Sequence, residues 1–411
     1  MGRGRPAEHD VAVTGLGLVT PAGVGVAQSW LRVCAGRPTA AADPRLPGHP
    51  AGMSCRVPGF DAEALLGAKA TRRLDAFTQF AVVAVREAVD DAGLDSRRWD
   101  GTRVAVVIGT GGYGAGTAEA QHRVLAERGV LHVSALVLPM HLPNMAAAQV
   151  SLDLGVTGPS LAVSTACASG ASAIGTAADL LAMDRCDIAI AGATDALVTP
   201  LFMAGFSRMG ALSRRTDAPA TASRPFDASR DGFVAAEGAG ALVLERIADA
   251  RARGARMHAR IIGYGASADA YHVTCPHPGG RGLEQALRAA LADARVGPGD
   301  IDHVNAHGTS TMLNDLMEAQ VLERVLGTAP LVTSTKGVTG HMLGAAGAAE
   351  AVFTVLAVEH GVVPPTANLT ELDPRIKLNV ATEAARVMPK LAVSTSAGFG
   401  GQNAALVVAA P

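Results

Sequence analysis

Ser164-Thr165-Ala166-Cys167-Ala168-Ser169-Gly170 is the stretch on which the fold turns. It follows an apolar run, Leu161-Ala162-Val163, and leads into a run of helical character over 168–183. A strand that bends sharply into a helix presents the residue at the bend and aims the helix's free N–H groups at it. For a thiol, the partial positive charge of a helix N-terminus favours the thiolate. The surroundings of Cys167 thus predict an activated nucleophile. A free cysteine is also a common packing residue, and Cys34, Cys55, Cys186 and Cys275 carry no comparable setting. Taken alone, the stretch leaves both readings of Cys167 open.

The same order of elements occurs twice along the chain. In the first half, Val11-Ala12-Val13 runs into Gly15-Leu16-Gly17, a helix is predicted over 73–92, and buried strands over 104–108 and 188–192. Thr20-Pro21 stands where a dinucleotide loop needs its third glycine, so that reading is set aside. In the second half, 259–265 repeats the strand with glycines, 282–294 the helix, and 301–306 the buried strand. Leu331-Val332-Thr333-Ser334-Thr335-Lys336, with a Gly/Ala-rich helix over 341–360, repeats the strand, turn and helix at Cys167. Strands over 393–397 and 404–408 close the chain as a hairpin around 398–401. The repetition predicts two related α/β halves, residues 1–255 and 256–411, sharing one core.

Composition narrows the function. Hydrophobic residues make up 49% and charged residues 18%, and the formal net charge is −2, which argues against a nucleic-acid surface. Five scattered cysteines without a CxxC argue against a disulfide framework or structural zinc and suit a reducing cytoplasm. No run is read as long enough to span a membrane. Met1-Gly2-Arg3-Gly4-Arg5-Pro6 lacks an apolar segment behind it and reads as a short disordered tail rather than a signal peptide.

Two histidines occupy matching positions in the second half: His307 in Asn305-Ala306-His307-Gly308-Thr309-Ser310-Thr311, and His341 in Lys336-Gly337-Val338-Thr339-Gly340-His341. Both sit at junctions comparable to that of Cys167. If the halves pack about a pseudo-twofold axis, the three converge.

With these residues in order, the chain resembles the elongating β-ketoacyl synthases of the thiolase fold. The likeness runs from Val11 to Val408. Its motifs include Thr165 to Gly170, Ser223-Arg224-Pro225-Phe226-Asp227, Asp231-Gly232-Phe233, Glu237-Gly238-Ala239-Gly240, His307 to Thr311, Thr335-Lys336 to His341, and Gly398-Phe399-Gly400-Gly401. The resemblance implies a five-layered αβαβα core. It also implies decarboxylative Claisen condensation of an acyl group held on Cys167 with malonyl-acyl carrier protein. His307 and His341 would hydrogen-bond the developing enolate. Lys336, paired with Glu350, would order the site. The N–H groups of Cys167 and Phe399 would form the oxyanion hole, with Phe399 as the gate. Thr309 and Thr311 would meet the pantetheine arm, and Phe206, Gly112 and Ala397 the acyl chain. No metal or bound cofactor is implied, since phosphopantetheine arrives on the carrier. The implied partners are the carrier protein and a second subunit, either an identical copy or a chain-length-factor-like chain, meeting near 136–145.

Three departures from the family pattern bear on the acyl pocket: Ala397 replaces an aromatic, Gly112 a branched residue, and Gly210 an arginine. They suggest a wider channel for a polyketide or polyene chain; the alternative is the elongating synthase II of primary fatty acid synthesis. A degradative thiolase would need a cysteine within 397–401, which has none. A non-catalytic chain-length factor would lack the nucleophile.

Overall fold

The computed structural model describes residues 10–411, so the basic stretch 1–6 lies outside the described residues. Ten strands carry the architecture. In the first half they are β1 (Val11–Thr20), β2 (Val104–Gly109), β3 (Ser160–Val163), β4 (Ile188–Asp195) and β5 (Gly238–Arg246). In the second half they are β6 (Ala259–Ala268), β7 (His303–Asn305), β8 (Leu331–Thr333), β9 (Leu391–Gly398) and β10 (Gln402–Ala409). Six helices accompany them: α1 (Ala76–Asp91), α2 (Met145–Leu154), α3 (Ser169–Ala182), α4 (Arg281–Ala294), α5 (Met312–Leu326) and α6 (Ala346–His360).

The strands lie in the order β8-β7-β9-β10-β6-β1-β5-β4-β2-β3. Read outward from the middle, each half has the same plan. The central strand pairs antiparallel with the last strand of its half, which pairs antiparallel with the fourth, and the two outermost pairings are parallel. Three antiparallel pairs, Val11 with Ile261 to Val13 with Ala259, join the halves.

Three apolar clusters define the layers. One packs α1 and α2 on the first half of the sheet, through Phe77, Phe80, Val85 and Val150 against Val106 and Ile190. A second packs α4 and α5 on the other half, through Leu287 and Val321 against Val304 and Val407. The third holds α3 and α6 between the two halves, through Ile174, Leu181, Val352 and Phe353. The result is the expected αβαβα stack. Gly170 is where the two inner helices touch: a Cβ there would lie 2.2 Å from the backbone nitrogen of Ala348.

The local sequence explains these elements. In α1 the apolar side chains at 77, 80, 81, 84, 85 and 88 recur at helical spacing, and all are buried. The Asp75 carboxylate accepts from the Phe77 N–H at 3.3 Å, and Gly93, at φ 64°, ends the helix. The helix expected over 341–360 starts later. Gly340 and Leu343 take positive φ values of 66° and 54°, which place His341 in a loop and delay α6 to Ala346. One run does pass a membrane-span test, contrary to expectation: residues 343–360, with mean hydropathy 1.2 over 18 residues. It is 89% buried, and it is apolar all round because α6 lies between the two halves of the sheet.

A charged cluster ties three layers together. The His258 ring, just before β6, lies 2.8 Å from Asp91 at the end of α1 and 2.9 Å from Glu359 at the end of α6. Burial opposes protonation of His258, but the two carboxylates prevail and raise it to about 9. A histidine raised above its unfolded value stabilises the fold fully below about pH 6.5, and this contribution is lost as pH rises through about 9. Thermal unfolding across pH 6–10 is expected to show a decline of a few °C over that window, absent in His258→Gln. An unchanged slope in the variant would refute the assignment.

Candidate active site

Cys167 sits in the turn between β3 and α3, two residues before the helix begins. The turn is tight: Ala166 takes a φ of 49°, and the Ser169 hydroxyl donates to the Ala166 carbonyl at 2.6 Å while accepting from the Thr165 N–H at 2.9 Å. The hairpin loop of the other half closes against it. A Cβ on Gly398 would lie 2.6 Å from the Thr165 carbonyl oxygen, so only glycine allows this approach. The Phe399 N–H donates to the Cys167 sulfur.

Both histidines reach the same point. His341 Nε2 lies 3.1 Å from Cys167 Sγ. The His341 backbone is held on both sides, donating to the Val234 carbonyl at 2.8 Å and accepting from the Ala236 N–H at 2.9 Å. His307 follows β7, and its ring meets that of His341 edge-on, with centroids 5.2 Å apart and planes at 83°. Behind them Lys336 and Glu350 are fully buried and paired through Nζ and Oε1. Lys336 Nζ is also 3.4 Å from His307 Nδ1. An ammonium has donors only, so Nδ1 accepts and the His307 ring hydrogen lies on Nε2.

The electrostatics correct one expectation. Burial pushes the Cys167 thiol up to about 12, and neither Lys336 nor the Phe399 N–H overcomes it. The thiol is protonated at rest, because both halves of the fold bury the turn. Burial, reinforced by the charge of Lys336, holds both histidines well below their ordinary value, so both are neutral. The resting set is a neutral thiol beside two neutral imidazoles. Burial also raises Glu350 to about 7 against the pull of Lys336.

A cavity of about 310 Å³ opens at Cys167, His307 and His341. Thr309 and Thr311 line it, with their hydroxyls 2.9 Å apart, and Thr311 also caps α5 by accepting from the Asn314 N–H at 3.3 Å. Phe206, Ala397 and Phe399 complete the lining nearest the expected acyl and pantetheine paths. Two of the expected departures do not widen it. A Cβ on Gly112 would lie 2.7 Å from Leu197 Cδ2, so the space freed by that glycine is filled by Leu197. Gly210 is exposed at the end of a surface helix (Pro200–Arg208), at φ 69°, with nothing within 4 Å of a Cβ position; it terminates the helix and lines no pocket. Phe202, not anticipated, adds a ring to the cavity wall and meets Tyr113 edge-on, with centroids 5.7 Å apart.

Two buried acids were also missed. Glu318 on α5 accepts from the N–H groups of His307 and Gly308 at 2.8 and 2.7 Å, fixing the first histidine's backbone. Asp195, at the end of β4, accepts from the Thr110 hydroxyl at 2.7 Å and from the N–H groups of Gly111 and Gly344 at 3.0 and 2.6 Å. It stitches a cavity loop of the first half to the loop after His341. The available signal was an acid closing an otherwise apolar strand, Ile188-Ala189-Ile190-Ala191-Gly192-Ala193-Thr194-Asp195.

Comparison with known proteins agrees with this geometry. Residues 8–250 match the β-ketoacyl synthase N-terminal domain, and residues 258–370 match its C-terminal domain. A 3-oxoacyl-[acyl-carrier-protein] synthase 2 of Staphylococcus aureus (strain COL) is 42% identical over 403 residues, 97% of each chain. Among solved structures, the ishigamide ketosynthase/chain length factor superposes with a TM-score of 0.92 at 33% identity, covering 100% of both chains. AntDE:AntF, a type II PKS acyl-carrier protein in complex with its ketosynthase bound to the hexaketide, superposes with a TM-score of 0.90 at 32% identity, again covering 100% of both chains. The chain belongs to the β-ketoacyl synthase family, acyltransferases that form carbon–carbon bonds.

Proposed function

We propose that the protein condenses an acyl group held on Cys167 with malonyl-acyl carrier protein, in a type II polyketide pathway. The observation that carries the chemistry is the Cys167–His341–His307 constellation, with its 3.1 Å sulfur–nitrogen contact, at the mouth of an apolar cavity. In the first half-reaction the Cys167 sulfur attacks the acyl thioester carbonyl. His341 Nε2 takes the thiol proton and returns it to the departing pantetheine thiol. The N–H groups of Cys167 and Phe399 serve the oxyanion.

Malonyl thioester then enters past Thr309 and Thr311. Its carboxylate leaves as CO2, and the bonding electrons form an enolate whose oxygen accepts from the ring N–H of His307 and, once the His341 ring hydrogen has passed from Nδ1 to Nε2, from His341 as second donor. The enolate carbon attacks the acyl carbon, and the collapsing tetrahedral state expels the Cys167 thiolate. One proton from solvent restores the thiol. Lys336 and Glu350 hold His307 in the donating tautomer and touch no substrate.

The polyketide assignment rests on Ala397 in the closing loop and on the likeness to a type II PKS ketosynthase. The 42% identity to a 3-oxoacyl-[acyl-carrier-protein] synthase 2 favours a second reading, elongation in fatty acid synthesis. Competition between saturated, polyunsaturated and β-ketoacyl carriers for one enzyme sample separates them. The polyketide reading expects unsaturated or β-ketoacyl carriers to be consumed at least about tenfold faster; a preference for saturated chains of medium length overturns it. An acyl carrier protein is the proposed partner. A second subunit is proposed to cover the exposed apolar side chains Val130, Leu131, Leu138 and Leu142.

A further inference from the structure

The three reacting side chains have a second chemical capacity. The donor atoms of Cys167, His307 and His341 all lie within 4.8 Å of one another, and all three residues are buried. One thiol and two imidazoles are a ligand set for a thiophilic divalent ion of the zinc type, with the fourth position open to the cavity. Around tetrahedral zinc, sulfur and nitrogen donors stand about 3.3–3.6 Å apart, given metal–ligand bonds of about 2.0–2.3 Å. The 3.1 Å separation of Cys167 Sγ and His341 Nε2 is close to that. The other two separations are no more than 4.8 Å.

The second shell adjusts to the role. Lys336 faces His307 Nδ1, so coordination through Nε2 moves the ring hydrogen to Nδ1 and turns the ammonium away from it. The charge of Lys336, which would repel a cation, is taken up by Glu350.

We propose that Cys167, His307 and His341 bind one zinc-type divalent ion in the unacylated enzyme, and that this ion competes with acyl loading. Binding forms one metal–sulfur and two metal–nitrogen bonds and releases the thiol proton to solvent. No oxidant or reductant takes part. Once Cys167 carries an acyl group, its sulfur is a thioester and the site is lost. The ion is therefore an inhibitor and not a cofactor, and its binding is independent of which acyl chain the enzyme uses.

Cobalt titration of the full chain, followed by absorption, tests this without relying on activity. The expected result is one equivalent of tetrahedral Co²⁺ per chain with a thiolate-to-cobalt charge-transfer band, displaced by Zn²⁺ and absent after acylation. Cys167→Ala should lose the band, and His307→Ala and His341→Ala should weaken binding by at least about 10–100-fold. Cys275→Ala, in the loop that carries His272 and His277, should retain it. A wild-type spectrum without the thiolate band overturns the proposal, as does a band that survives in Cys167→Ala. Retained thermal unfolding of each variant excludes misfolding as the cause of a lost band. Zn²⁺ should also block alkylation of Cys167 reversibly, with recovery on addition of EDTA; unhindered alkylation under saturating Zn²⁺ likewise counts against the site.

Discussion

Cys167→Ala forms no acyl-enzyme, and condensation falls by at least about 10⁴-fold, the scale on which removing a nucleophile acts. The substitution removes only the sulfur from a small turn whose hydrogen bonds run through Ser169 and Thr165, so the fold is retained. Decarboxylation of malonyl carrier requires the two histidines and not the thiol, and it survives. Intact-protein mass spectrometry after incubation with acyl carrier reads the first result, and CO2 release reads the second. An acyl adduct on the variant would refute the assignment. The neutral thiol makes a further demand on the wild type. Because burial raises the thiol to about 12, the thiolate fraction is small at pH 7 and grows as pH rises. Alkylation of Cys167 by iodoacetamide should therefore keep accelerating beyond pH 9. A plateau near pH 6 would indicate a thiolate–imidazolium pair instead.

This protonation state marks where the sequence reading reached its end. The strand, turn and helix at Cys167 were legible, because an apolar run meeting small residues and then a helical run has few solutions. The convergence of His307 and His341 followed from the repeated order of elements. The thiol's environment did not follow. A helix N-terminus favours the thiolate only where water or a cation shares the charge, and Cys167 is covered by Gly398 and Phe399, more than 200 residues away. Gly112 failed for a similar reason. A missing side chain opens space only if no neighbour enters it, and Leu197 comes from another loop. Asp195 and Glu318 went unnoticed because an acid at a strand end or on a helix normally faces solvent, whereas here Asp195 gathers backbone N–H groups from distant segments and Glu318 those of the turn before its own helix. Contacts between segments far apart in the chain account for the misses at Cys167, Gly112 and Asp195, whereas Gly210 and the late start of α6 turn on local backbone conformation.

His307→Ala separates the two half-reactions from the other side. The Cys167–His341 contact remains, so acyl-enzyme forms at a rate within a few-fold of wild type. The enolate loses its fixed donor, and decarboxylation and condensation fall together by about 10²–10³-fold, the effect of removing one positioned donor from a developing oxyanion. Loss of acyl transfer to the same degree would place His307 in the first step and break the proposed division of labour. Lys336 offers the finer test of how the donor is held. Lys336→Met alone leaves the Glu350 carboxylate buried without its partner and is expected to destabilise the fold by about 3–5 kcal/mol. Lys336→Met with Glu350→Leu removes both charges, and replacing a buried ion pair by apolar groups of similar volume is often near neutral for stability. In that double variant His307 Nδ1 no longer faces an ammonium, so the ring hydrogen is free to occupy either nitrogen. Condensation should fall by about tenfold or more while acyl loading stays near wild type. An equal loss in both steps would make the pair a structural strut; a selective loss in condensation makes it the device that keeps the His307 hydrogen facing the substrate.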